Sequence, residues 1–97
     1  MTIIWSDEEI KDFEQNIAYL LENWPENVVI EFTQNVEIVL SIITINPYAF
    51  RKSNVDSKIR IALTVKQISL FYEIKKDRIY LLRFWNNYKD VTKNKFI

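Results

Sequence analysis

Apolar positions in the first half of the chain recur every three or four residues, a spacing typical of amphipathic helices. The first such stripe follows the segment SDEE at residues 6–9 and consists of Ile10, Phe13, Ile17, Leu20, Leu21 and Trp24. Ser6 is placed to cap this helix, and Glu9, three residues later, is placed to reach back to the cap amide. The pattern predicts a helix that begins just after Ser6.

A second helical stripe follows Pro25, whose missing N–H costs nothing in the first turn of a helix. Its members are Val28, Val29, Phe32, Val36, Val39, Leu40 and Ile43. Pro47 disfavours helical geometry at Asn46, so the helix should end at the NPY segment. Residues 6–45 are therefore predicted to form an antiparallel helical hairpin.

The rest of the chain carries short runs of β-branched and aromatic residues, which favour strands. These runs are TIIW at 2–5, IRIALTV at 59–65, ISLFYEI at 68–74 and IYLLRFW at 79–85. The last three are separated only by KQ and KKDR, so they should form an antiparallel meander. We predict one α+β domain over residues 1–97, with an N-terminal strand, the helical hairpin and the meander. The helices should cover one sheet face and leave the other free.

Composition excludes several kinds of site. The 97 residues include no cysteine, no histidine and no glycine. A disulfide framework, a thiolate or histidine metal site, a histidine base and a glycine-rich phosphate loop are therefore excluded. We expect no cofactor, no metal and no small-molecule substrate. No apolar run follows a basic start or reaches the roughly 18 residues of a membrane span. We therefore expect a cytoplasmic protein without a membrane partner.

Charge is divided unequally along the chain although the formal net charge is zero. Residues 1–45 hold nine acidic residues and one basic residue, a balance of −8, and residues 46–97 hold twelve basic and four acidic residues, a balance of +8. Such asymmetry suggests that the C-terminal half faces a polyanion. The alternative is that two solvated faces neutralise one another within a monomer.

The order and spacing of these segments over about residues 3–90 resemble the RelE/ParE superfamily, the toxins of bacterial type II toxin–antitoxin modules. The likeness is most specific in IRIALTVKQISLFYEIKKDRIYLLRFW, at residues 59–85. The resemblance implies a small toxin that a cognate antitoxin holds inactive. It also implies one of two activities, either cleavage of messenger RNA on the ribosome or inhibition of DNA gyrase.

The resemblance assigns candidate catalytic residues only where the chain matches the RNA-cleaving branch. Arg60 matches a basic residue near the scissile phosphate, and Lys89 matches a position after the last strand. The Tyr-Arg pair that usually opens the second meander strand is replaced by Ile68 and Ser69. Cleavage by a 2′-hydroxyl needs a proton acceptor, a cation and a proton donor. Arg60 and Lys89 would hold phosphate, and Tyr88 would donate a proton or stack on a base. The alternative is that Arg60 is a strand-surface charge and that Tyr88 and Lys89 form an exposed turn.

The segment LLRFWNNYKD at 81–90 begins as an apolar strand and ends in polar residues. By resemblance this edge binds the target or the antitoxin, through Arg83, Trp85, Asn86 and Asn87. Arg83 should pair with Glu73 or with a carboxylate of the antitoxin. Three functions remain open: a ribosome-dependent ribonuclease, a gyrase inhibitor, and a non-enzymatic protein that only binds an antitoxin.

Overall fold

The computed structural model describes residues 1–88 and confirms the predicted α+β class and element order. The elements are β1 (Thr2–Ile4), α1 (Asp7–Asn23), α2 (Glu26–Ile45), β2 (Arg51–Lys52), β3 (Ile59–Val65), β4 (Ile68–Lys75) and β5 (Arg78–Asn86). The helical hairpin and the three-stranded meander are both present, and the short strand β2 lies in the connection before the meander.

The five strands form one sheet in the order β1-β5-β4-β3-β2. β1 pairs with β5 in parallel, and the remaining pairs are antiparallel. A bulge in β5 opposite Phe71 and Tyr72 leaves Leu82 as the additional residue. The bulge shifts the alternation of side chains, so that Leu81 and Phe84, three positions apart, both pack in the main core.

The main core lies between the helices and one face of the sheet. α2 contributes Phe32 and Ile43, α1 contributes Leu20, and all three are fully buried. Phe84 of β5 packs against three aromatic side chains, with ring centroids 5.4 Å from Phe13, 5.6 Å from Trp5 and 6.2 Å from Phe32. These contacts fix α1 and α2 against β5.

The second sheet face carries a smaller apolar cluster. Ile59, Ile61 and Phe71 are buried there, and Leu82 and Trp85 pack against them. The prediction of a free sheet face is therefore wrong over this cluster. The helices lie on the other face, as predicted, and strand alternation places these residues of β3 and β4 on the face away from them, beside Leu82 of the bulged strand β5.

α1 begins and α2 ends at the predicted signals, whereas Pro25 is the N-cap of α2 and does not lie in its first turn. The Ser6 backbone N–H donates to the Glu9 carboxylate at 3.0 Å, and the Ser6 hydroxyl contacts the same group. α2 ends at Ile45, immediately before Asn46 and Pro47. The capping box and the X-Pro restriction therefore act here as the sequence predicts.

α2 is more apolar than a typical surface helix. It is long and apolar enough to cross a membrane by length and composition. The prediction that no run reaches this length and apolarity is wrong for α2, because its few glutamates are spaced among isoleucine, valine and leucine. In this fold one face of α2 packs in the core through Phe32, Val36, Val39 and Ile43.

Candidate functional site

The end of β5 returns to the turn between β3 and β4, and this places Ser69 beside Asn87. The Asn87 backbone N–H donates to the Gln67 carbonyl at 2.7 Å, and its Nδ2 donates to the Lys66 carbonyl at 3.2 Å. Asn87 Nδ2 also donates to Ser69 Oγ at 3.0 Å, while Ser69 Oγ lies 3.2 Å from Asn87 Oδ1. Ser69 and Asn87, with Tyr88 after them, are called the Ser69–Asn87 cluster below.

Tyr88 extends this cluster toward the end of α1. Its ring centroid lies 5.5 Å from that of Trp24, and Lys66 Nζ lies 5.5 Å from the Trp24 ring. Tyr88 is 48% exposed, so its phenol is accessible. The Tyr88 backbone N–H donates to Asn86 Oδ1 at 2.9 Å, which fixes the turn after β5.

Hydroxyl, amide and phenol groups dominate the Ser69–Asn87 cluster. These groups donate and accept hydrogen bonds, but at neutral pH they neither take up a proton readily nor carry positive charge. Ser69 occupies the position where the resemblance implies arginine, and its hydroxyl is engaged by Asn87. Among residues 1–88, Lys66 is the cation placed against this cluster. Lys89, predicted to hold phosphate, lies outside the described residues.

Arg60 lies at the other end of the β3–β4 pair. It is opposite Tyr72, whereas Ser69 is opposite Leu63, a difference of three residues or about 10 Å along the strand. Arg60 Nη1 donates to the Phe50 carbonyl at 2.7 Å and to the Tyr48 carbonyl at 3.3 Å. Its guanidinium also lies 5.0 Å from the Tyr48 ring. The structure therefore does not bring Arg60 together with Tyr88.

Tyr72 lies opposite Arg60 and is fully buried. Its hydroxyl donates to the Pro47 carbonyl at 2.8 Å. Burial raises the pKa of Tyr72 to about 12, and the nearby positive charge of Arg60 offsets only part of that rise. Tyr72 therefore keeps its proton at neutral pH and serves as a structural hydrogen-bond donor.

Arg60 also lines a basic cleft of about 450 Å³ at the β2 end of the sheet. The cleft is lined by Tyr48, Lys52, Ser57, Lys58, Arg60, Glu73, Ile74 and Lys75. Four cations and one carboxylate converge on this volume, and the exposed Tyr48 ring lies at its side. Such a combination suits phosphate groups with a base stacked nearby.

Arg83 pairs with Asp12 of α1, and not with Glu73. Arg83 Nε lies 2.6 Å from Asp12 Oδ2, and Nη2 lies 3.3 Å from Oδ1. The Arg83 side chain is 40% exposed and that of Asp12 is 11% exposed. The Arg83 guanidinium also lies 5.4 Å from the Trp85 ring. One part of the guanidinium is thus held within the molecule while another part faces solvent.

Trp85 is half-buried and Asn86 is buried. Trp85 packs against Phe71, with ring centroids 6.5 Å apart, and Asn86 is buried opposite Ile68. Together with Asp12 and Asn16 they line a small cavity of about 80 Å³ beside Arg83. Binding of a target or antitoxin through Trp85, Asn86 and Asn87 remains a prediction.

Asp12 and Asn16 are functional candidates that the sequence analysis missed. Asn16 Nδ2 donates to the Phe84 carbonyl at 2.8 Å, beyond the part of β5 that pairs with β1. Glu9, Asp12 and Asn16 are buried polar residues spaced three or four apart on α1. That spacing was visible in the sequence, but only the fold reveals that it faces the edge of β5.

Solved toxin–antitoxin proteins share this fold. A chain of the chromosomal ParDE TA system from P. aeruginosa has a TM-score of 0.67 and 19% identity, covering 89% of this chain and 95% of that one. A YoeB dimer structure from Staphylococcus aureus has a TM-score of 0.61 and 16% identity, covering 91% and 98%. A heterotetrameric YoeB-YefM toxin-antitoxin complex from the same species has a TM-score of 0.59 at 16% identity, again covering 91% and 98%.

No protein-family model and no curated protein matches the chain. The likeness to solved structures therefore lies in the backbone. It shows that the chain has the same fold as these solved toxin chains.

Proposed function

We propose that this protein is the toxin of a type II toxin–antitoxin module, that a cognate antitoxin neutralises it, and that it inhibits growth in the cytoplasm by binding DNA gyrase. The observation that carries this choice of target is the Ser69–Asn87 cluster. An amide and a hydroxyl bind each other at the position where an RNA-cleaving relative would present arginine.

Three features argue against RNA cleavage as the mechanism. A positioned acid, base or phosphate clamp contributes roughly 10²- to 10⁴-fold to such a reaction, and the groups must converge on one phosphate. Arg60 is bound to the carbonyls of Tyr48 and Phe50, about 10 Å along the sheet from Ser69. Tyr72 beside Arg60 retains its proton. The phenol of Tyr88, the predicted proton donor, has Lys66 and not Arg60 as the described cation of its cluster.

A binding mechanism fits the remaining surface better. Inhibition of gyrase requires a complementary surface and no reacting group. The basic cleft supplies positive charge suited to an enzyme that holds DNA while it acts, and Tyr48 adds an exposed ring. These features support a macromolecular target that carries phosphate groups.

The first experiment tests the toxin class. The protein is induced in a bacterial host alone and together with the small reading frame adjacent to its gene. We expect growth arrest alone, recovery on co-expression and a complex that co-purifies at moderate salt. Failure to arrest growth, with a complex still formed, would favour the non-enzymatic protein that only binds an antitoxin. Failure of both would contradict the toxin proposal.

A matched pair of variants tests the choice of mechanism in the same host. Tyr88→Phe removes the phenolic hydroxyl but keeps the ring against Trp24, and Lys89→Ala removes the predicted phosphate contact. Growth arrest should persist in both, because neither group reacts in the proposed mechanism. A loss of toxicity on the order of 10²-fold or more in either variant would support a ribonuclease instead.

A further inference from the structure

The outward face of α2 carries large apolar side chains that the fold does not cover. Ile30 is 49% exposed, Ile38 55%, Ile42 39% and Ile45 86%. We propose that this isoleucine stripe is a docking surface for a basic amphipathic helix of a protein partner. The proposal does not rest on growth inhibition, and its test does not use it.

The stripe is separate from the part of α2 that forms the core. At 100° per residue, the four isoleucines fall within about 120° of the helix circumference, and the buried residues Phe32, Val36, Val39 and Ile43 lie on the opposite side. From Ile30 to Ile45 the stripe is about 22 Å long. The same sector also holds Glu31, Gln34 and Ser41, so the isoleucines stand among polar residues. A surface helix normally has polar residues throughout its outer face, and folding of this domain alone does not account for four large apolar side chains there.

Charge determines the kind of partner that fits. Glu31 lies within the angular range of the stripe, between Ile38 and Ile42. Glu26 and Glu37 lie along the opposite edge, next to Ile30, and all three glutamates are exposed. α2 contains no basic residue, and Lys11 is the only basic residue among residues 1–45. A partner helix with apolar residues at i, i+3, i+4 and i+7 and lysine or arginine beside that apolar face would match both properties.

The same glutamates argue against two other occupants. In a symmetric pair of α2 helices each stripe would meet another surface that carries the same glutamates, and like charges facing one another are destabilising. A helix that lies on a lipid surface usually has lysine and arginine on its polar face, since these attract anionic headgroups. α2 has the opposite charge, so a basic protein helix is the occupant that its chemistry favours.

The test uses two fluorescent synthetic peptides of about 20 residues, long enough to cover the stripe. Both carry the same leucine stripe, but one has lysine flanks and the other has glutamate flanks. Fluorescence anisotropy with the purified full chain should show binding of the lysine peptide and at least tenfold weaker binding of the glutamate peptide. Ile38→Gln with Ile42→Gln should weaken binding of the lysine peptide at least tenfold, because apolar area is removed from the contact.

Two further variants serve as controls. Ile10→Gln with Leu21→Gln replaces two exposed apolar residues of α1 and should leave peptide binding unchanged. Glu31→Lys with Glu37→Lys keeps the isoleucines and should reverse the preference between the peptides. The second variant keeps the proposal testable if loss of isoleucine also affects folding, which circular dichroism would detect.

Several results would overturn the proposal. Equal binding of both peptides, or unchanged binding after Ile38→Gln with Ile42→Gln, would show that the stripe is not the docking surface. A dimer in sedimentation experiments that this double variant abolishes would assign the stripe to a second copy of the chain. Binding to phosphatidylglycerol vesicles that the double variant abolishes would assign it to a lipid surface.

Discussion

Arg83 shows how a single residue in this chain serves the fold and remains available to a partner. Its contact with Asp12 joins residues 71 positions apart, and its guanidinium also lies against Trp85. The sequence indicated that an arginine within an apolar strand needs a carboxylate, and this part was predictable. The identity of the carboxylate was not, because the bulge at Leu82 determines how β5 presents Arg83 to α1.

The Arg83–Asp12 pair should contribute modestly to stability. Asp12→Asn should lower the free energy of unfolding by about 1 kcal/mol, since the pair is bidentate but the arginine is partly exposed. Denaturant titration of Asp12→Asn, Arg83→Gln and the double variant should give a coupling of similar size. Glu14→Gln, at an exposed position on the same helix, is the control and should change stability by less than about 0.5 kcal/mol. Additive effects of the two changes would contradict the pairing.

Tyr72 should make stability depend on alkaline pH. Its pKa is about 12 in the folded protein against an ordinary value of 10.0, so the folded state holds the phenolic proton more tightly. The stabilisation is complete below about pH 10 and is lost as the pH rises toward 12. Tyr72→Phe should lower the free energy of unfolding by roughly 1 kcal/mol at neutral pH, because the hydrogen bond to the Pro47 carbonyl is lost. Between about pH 10 and 12 the free energy of unfolding should fall less in this variant than in the wild type, because the variant has no phenol at this position.

Tyr48→Phe is the matched control for this pH dependence. The Tyr48 ring is 60% exposed, so the variant should retain the alkaline loss of stability seen in the wild type. Urea titrations at a series of pH values measure both variants. Parallel pH profiles for Tyr72→Phe and the wild type would show that burial of Tyr72 does not raise its pKa.

At the scale of elements, local signals in the sequence were sufficient to predict the helices and the meander. The capping box, Pro47 and the β-branched runs each act within a few residues, and every one of them has the expected structural effect. The parallel pairing of β1 with β5 was not predicted, because it joins strands that lie more than 70 positions apart. The same limit applies to the candidate site, where Ser69 and Asn87 meet only through strand pairing.

The turn between β4 and β5 is strained in a way that reflects the absence of glycine. Lys76 has a φ of 51° and Asp77 a φ of 64°, and both values fall in the left-handed region. A two-residue hairpin turn of this kind prefers Asn-Gly. Lys76→Asn with Asp77→Gly should therefore raise the free energy of unfolding by about 1 kcal/mol.

The β3–β4 turn provides the control for this prediction. Among the described residues, positive φ values without glycine occur at Lys76 and Asp77 and not at Lys66 or Gln67. Lys66→Asn with Gln67→Gly should be destabilising, because the change removes the buried Gln67 side chain and relieves no positive φ. Thermal unfolding measures both variants, and an equal effect at the two turns would contradict the role of backbone strain.

At the scale of the whole molecule, the two oppositely charged halves of the sequence form two distinct surfaces. The acidic half forms the helical hairpin, whose outer face carries the isoleucine stripe together with exposed glutamates. The basic half forms the cleft around Arg60. The sequence predicted the charges of the two halves, but it did not predict the stripe. Only packing shows which apolar positions of α2 the core leaves uncovered.

The basic cleft should bind nucleic acid in a salt-dependent manner. Lys52→Ala with Lys58→Ala should weaken binding of short DNA or RNA and reduce the slope of log affinity against log salt by about 1 to 2, because fewer counterions are released. Lys11→Ala, which removes a lysine from the acidic half, should change neither quantity. Binding at about 50 mM salt that is identical in all three proteins would show that the cleft makes no phosphate contact.

The proposed mechanism is tested most directly by the supercoiling of relaxed plasmid by purified gyrase, with this protein added in increasing amounts. Supercoiling should fall as the protein is added, recover when the co-purifying antitoxin is included, and fall equally with Tyr88→Phe. Undiminished supercoiling at concentrations at which the same preparation cuts messenger RNA within codons on translating ribosomes would contradict a gyrase-binding toxin and establish the protein as a ribonuclease.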